Sequence, residues 1–188
     1  MITTSFFKEL LSKEDNLLSE IISDLSADDL YWQPGSESNS IGWTIWHMAR
    51  VEDMWIQFFS KRGIEKWESE NWHTIFNLPT RQTGFKHTPE QVSLFPRIDI
   101  NTMMAYRQSV RCSTTEFIDR LQKGDYTSTP WSDKPDMWWH NFTIINMLQQ
   151  LLGELYQHIG QIAYIKGLRK GFASVPEDYA TPQMRYQK

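Results

Sequence analysis

The sequence predicts an all-α protein: a four-helix bundle with a long irregular connection between its second and third helices. Three observations carry that expectation. Apolar residues recur at three- and four-residue spacing in four long stretches. No stretch shows convincing β alternation. Two proline-bearing connections, about 64–98 and 125–141, separate the helical stretches. With 188 residues, 40% hydrophobic and 22% charged, the chain is long enough for a single domain with a proper core, taken over 1–188.

The first helix is expected over about 3–25. Phe7, Leu10, Leu11, Leu17, Leu18, Ile21, Ile22 and Leu25 form its stripe, with Lys8, Glu9, Lys13 and Asp15 between them. The second, about 41–61, follows Ser40 as N-cap and stops at Gly63. Its apolar residues cover most of the circumference, so it should be largely buried. The connection that follows contains Thr88-Pro89-Glu90-Gln91, the signature of a capped helix start. A connection of that length is often functional, for example as a lid.

The third helix is expected over about 100–122, its stripe interrupted by Arg107 and Thr114. The fourth is expected over about 142–168, ending at Gly167 or Gly171 and leaving a tail, 172–188. Lys166, Arg169 and Lys170 form the densest basic patch, where cations complement a helix C-terminus.

Nine Trp, ten Phe and seven Tyr favour a heavily packed core, an aromatic-walled pocket or a partner surface. The net charge of −4 and the scattered basic residues argue against nucleic-acid binding through a basic face. No run approaches the ~18 apolar residues of a membrane span. Cys112 is the single cysteine, so no intrachain disulfide can form. It is expected as a buried structural thiol. No signal peptide is apparent at the N-terminus, and a reducing cytoplasm is the expected location.

Chemistry is expected on the fourth helix. Met147, Leu151, Glu154, His158, Gln161 and Ile165 fall within about 80° of one another at ~100° per residue. Glu154 and His158 can therefore point at one spot. On the second helix, His47 shares a face with Trp43, Val51, Met54 and Phe58. If the second and fourth helices are neighbours, His47 completes a set of two imidazoles and one carboxylate. That set suits a divalent transition metal such as Zn²⁺, Ni²⁺ or Fe²⁺ and leaves coordination positions open. The plainer readings also stand: His47 as a satisfied core residue, and Glu154 with His158 as an ion pair four residues apart.

The segment 38–55, Ser-Asn-Ser-Ile-Gly-Trp-Thr-Ile-Trp-His-Met-Ala-Arg-Val-Glu-Asp-Met-Trp, resembles the second helix of the DinB/YfiT-like proteins. His158-Ile159-Gly160-Gln161-Ile162 resembles that family's fourth-helix motif. Leu78-Pro79, Thr83-Gly84-Phe85 and His87-Thr88-Pro89-Glu90 match its long connection. The resemblance spans about 3–170. It implies an up-down-down-up bundle, usually dimeric, with one metal held between helices. Many members carry a His where Glu154 stands here. A thiol-dependent isomerase branch resembles this chain in using His/Glu/His.

The resemblance therefore implies a metal-dependent enzyme, a transferase or isomerase using a small thiol, or a hydrolase. His47, Glu154 and His158 would hold Zn²⁺ or Ni²⁺. From its place one turn on from His158, Gln161 is expected to orient a ligand or substrate, and Arg107, which breaks the stripe of the third helix, is open between pairing with an anionic substrate and the plainer reading of a surface or snorkelling Arg. The expected partners are a small-molecule substrate, a low-molecular-weight thiol as cosubstrate and a second copy of the chain. A non-catalytic helical dimer with a structural trio is the alternative, and an aromatic pocket without metal, lined by Trp43, Trp46, Trp138 and Trp139, is a third reading. His140 is expected as a cap or surface residue, and His73 and His87 as exposed. Glu52 and Asp53 are open between supporting the ligands and facing solvent.

Overall fold

The structure, a computed structural model, describes residues 4–171; the predicted tail 172–188 lies outside the described residues. Among the described residues there are helices and no strand. Four long helices stand where the apolar spacing places them. Helix α1, Thr4–Ile22, buries Phe7, Leu11, Leu17, Leu18 and Ile21 on one face. Helix α2, Ala27–Leu30, is one turn held by a reciprocal cap between Ser26 and Asp29.

Helix α3, Ile41–Asp53, begins where Ser40 Oγ accepts a hydrogen bond from the Trp43 amide at 3.2 Å. All of its residues are buried, as the apolar circumference predicts. Gly42 permits this packing, because a Cβ there would lie 2.6 Å from the Tyr31 ring. The expected second helix does not continue as regular α-helix to 61. Met54–Ser60 is a π-helical segment, a widened turn found frequently at functional sites.

The connection carries three short helices: α4, Lys66–Ser69; α5, Trp72–Phe76; and α6, Pro89–Ser93. Helix α6 has the predicted Thr88/Gln91 capping box. Helix α7, Ile100–Arg120, is capped by Asp99, and α8, Ile144–Lys170, by Thr143 with Asn146. Of the two glycines proposed to end the fourth helix, it is Gly171 that follows the last turn. Helices α7 and α8 both pack on α3, and both also pack on α1. The α3–α8 neighbourhood is the one that the trio requires.

Two buried polar hubs fix the long helices. Arg107 and Arg111 of α7 meet Glu14 and Asp15 of α1, and Arg111 also grips Glu52 of α3 with two bonds of 2.8 Å. Arg50 of α3 donates to Asp53, to the Tyr106 hydroxyl, to Glu65 and to the Gln82 carbonyl. Asp53 also accepts the Lys66 and Trp67 amides at 2.8 Å each. The connection is thus tied down at 65–67 and 82, beside the segment that reaches His47.

Candidate metal centre

His47 projects from α3, and Glu154 and His158 from successive turns of α8. One ligand atom from each lies within 4.8 Å of the others. His47 is buried, whereas the side chains of His158 and Glu154 are 12% and 31% exposed. The fourth-helix pair is therefore less buried than its apolar flanks suggest, and it opens toward solvent on one side.

Both imidazoles are held by one nitrogen. His47 Nδ1 faces the Thr83 carbonyl in a very short hydrogen bond, and a carbonyl only accepts, so Nδ1 carries the proton. His158 Nδ1 is 2.9 Å from Gln161 Oε1, so the same tautomer follows. In each ring Nε2 is then the nitrogen left to ligate. Such backing hydrogen bonds fix the tautomer and ring orientation of metal-binding histidines. On the carboxylate, Oε1 accepts from Gln150 Nε2 at 3.3 Å and Oε2 lies 3.5 Å from His158 Nε2. That separation is long for a hydrogen bond. It is close to the ~3.3 Å between donors around a tetrahedral ion with ~2.0 Å bonds.

Burial pushes the His47 imidazole down to about 4; the Thr83 bond opposes this, and nearby His158, His87 and Arg50 add to it. His47 is therefore neutral at pH 7, the state a ligand needs. Two imidazoles, each with Nδ1 directed at an oxygen acceptor, and one carboxylate fit a divalent transition ion.

The segment after Gln82 shapes the site from outside. Gly84 has φ +87°, and a Cβ there would lie 2.7 Å from the Trp43 ring and 3.0 Å from His47 Nδ1. Trp43 stacks on His47 with centroids 5.0 Å apart and donates its indole N–H to His87 Nδ1 at 3.2 Å. The sequence predicts an exposed His87; instead it is half-buried between Trp43 and Trp46, with burial pushing its imidazole down.

A cavity of about 350 Å³ adjoins the trio, with His47 and Glu154 in its wall. Trp55 and Phe59 reach it from the π-helical segment, and Trp138 and Trp139 from the 125–141 connection. Trp43 and Trp46, in contrast, are core residues, 4% and 0% exposed.

The structure brings Gln161 to the trio, but as a support of His158. It does not bring Arg107 there. Arg107 is buried against Glu14 and Asp15, because α7 turns that residue toward α1, and this corrects the expectation of a substrate contact. Glu52 and Asp53 are buried in the two hubs, which removes the solvent-facing reading. Cys112 is exposed, not buried. His140 is partly buried with Nδ1 on the Met137 carbonyl, and His73, expected as exposed, is likewise partly buried with Nδ1 on the Trp67 carbonyl. Thr83 and Gly84 have no spacing signal as site residues, since one acts through a backbone carbonyl and the other through a remote close approach, whereas Gln150, four residues before Glu154 on α8, has a helical spacing that points to it.

The comparisons agree with this architecture. A crystal structure of a conserved protein of a locus from Enterococcus faecalis superposes with a TM-score of 0.78 at 20% identity, covering 89% of this chain and 97% of that one. This likeness is one of fold. No curated protein matches the sequence. The DinB superfamily model matches residues 10–162, a span that includes His47, Glu154 and His158. The chain belongs to the DinB superfamily.

Proposed function

We propose that this protein is a metal-dependent enzyme whose centre is His47, Glu154 and His158, with Zn²⁺ or Ni²⁺ as the ion. One observation carries the reading: both imidazoles are locked by Nδ1, so that two Nε2 atoms and a carboxylate share one spot beside a cavity. A satisfied core histidine has no need of such an arrangement. Three protein donors leave further coordination positions, which is the catalytic rather than the structural pattern.

The reaction class is transfer or isomerisation with a small thiol, or hydrolysis. A divalent ion there supplies Lewis acidity, which makes a thiol or water nucleophilic near neutral pH. The chain's own groups do the rest. Gln161 and the Thr83 carbonyl hold the rings, Gln150 holds Glu154, and the aromatic wall limits water around the substrate. We read the packing of α7 and α8 on both α1 and α3 as an up-down-down-up four-helix bundle, working as a cytoplasmic homodimer.

Metal analysis of the purified protein tests the proposal. About one equivalent of Zn²⁺ or Ni²⁺, lost in His47→Ala and in Glu154→Ala, is expected. A folded wild-type protein that neither contains nor takes up either ion sinks the reading and leaves a non-catalytic helical protein.

A further inference from the structure

The cavity beside the trio has a lining that restricts what it can hold. Among the described residues no Arg or Lys lines it, and Glu154 is the one acidic residue that does. Five aromatic rings do: Trp55, Phe59 and Trp139 in the wall, and Phe85 and Trp138 at the lip. The lip residues come from the two separate connections and are 77% and 67% exposed. Large rings left in water on two loops facing one cavity are unusual for a core. The wall is preformed. Trp139 packs edge-on against Phe59 at 5.1 Å, and Trp138 packs edge-on against Trp139 at 5.4 Å. The Trp131 indole N–H donates to the Phe59 carbonyl at 2.7 Å, fastening this connection to the π-helical segment.

We infer that this cavity binds a substrate with a flat, uncharged aromatic body that carries one metal-seeking head group toward His47 and Glu154. The inference rests on the metal reading above and names the substrate class of the same site. Size supports it. A cavity of about 150 Å³ accepts benzene, so about 350 Å³ accommodates a fused two-ring body with a short arm. Charge supports it as well. A strongly ionic body, such as a peptide or sugar acid, would find no cation among the described lining residues and would be desolvated without a partner from them. A neutral ring system gains both apolar burial and ring–ring contact with Phe85 and Trp138.

Calorimetry with two hydroxamates tests the inference, since both carry the same metal-binding head. With Zn²⁺-loaded protein, 2-naphthohydroxamic acid is expected to bind about tenfold or more tightly than acetohydroxamic acid. Phe85→Ser and Trp138→Ser should bring the two within about threefold of each other and leave Zn²⁺ uptake unchanged, because both side chains are mostly exposed. Equal affinities in the wild type, or an advantage that survives both substitutions, would overturn the inference. Should the protein take up no Zn²⁺, the metal reading fails by itself, and 2-naphthol titrated into metal-free protein decides the aromatic lobe. Saturable binding lost in Phe85→Ser supports the lobe, and absence of binding to the wild type overturns it.

Discussion

Gln161 Oε1 lies 2.9 Å from His158 Nδ1, one turn along α8, and this contact directs the opposite ring nitrogen toward Glu154. Gln161 is itself exposed. Gln161→Leu should therefore leave the folding stability nearly unchanged, within about 0.5 kcal/mol. The same substitution should weaken Zn²⁺ binding about 10–100-fold, the usual effect of removing a support behind a ligand histidine. Gln161→Glu keeps an acceptor at that distance and should recover most of the affinity. Competition with a chromogenic chelator measures all three proteins, and unchanged affinity in Gln161→Leu would show that the contact is incidental.

Gly84 couples the long connection to His47. Its φ of +87° and the 2.7 Å approach to Trp43 leave no room for a methyl group. Gly84→Ala should cost about 1–3 kcal/mol of stability from backbone strain and displacement of the rings. The Thr83 carbonyl next to it would shift, so metal affinity should fall together with stability. Denaturant midpoints and metal titrations on the same preparation check this. An unchanged midpoint would mean that the segment moves freely and does not order His47.

The four long helices were legible because each buries a stripe or a whole circumference, and periodicity reads burial directly. The Thr88 and Ser40 caps were legible for a local reason, since both ends of each hydrogen bond lie within three residues. The π-helical turn at Met54–Ser60 had no such signature. Its apolar residues Trp55, Ile56 and Phe59 satisfy either helical period over so short a stretch. The trio was legible in part: the Glu154–His158 spacing is local, but the meeting with His47 depends on α3 lying against α8. Arg107 misled because a charged residue in an apolar stripe fits a ligand contact and a buried ion pair equally well. Its partners Glu14 and Asp15 stand more than ninety positions away.

Arg107 therefore belongs to stability. It and Arg111 share Glu14, which is 0% exposed, across the α1–α7 contact. Arg107→Ala leaves Glu14 and Asp15 with one cation fewer in a buried setting and should cost about 3–5 kcal/mol. Metal affinity, measured at a temperature where the variant is still folded, should stay within about threefold of wild type. A large loss of affinity in a fully folded variant would return Arg107 to the site.

The buried His47 gives the metal-free protein a pH dependence of definite sign. Burial, the largest influence, holds its imidazole at about 4 in the folded chain, against about 6.5 in an unfolded one. Between those values the unfolded state binds a proton that the folded state does not. Stability from this group is thus fully present above about pH 6.5 and is lost as pH falls through about 4, by an amount on the order of 3 kcal/mol. Carboxylates elsewhere add their own slopes, so the comparison must be made against His47→Gln, which removes only this group. Urea midpoints of both metal-free proteins at pH 7 and pH 4.5 should differ, with wild type losing more on acidification. Parallel losses in the two proteins would mean that His47 takes up its proton in the folded state as readily as in the unfolded one, and would argue against the desolvated, neutral imidazole on which the ligand assignment depends.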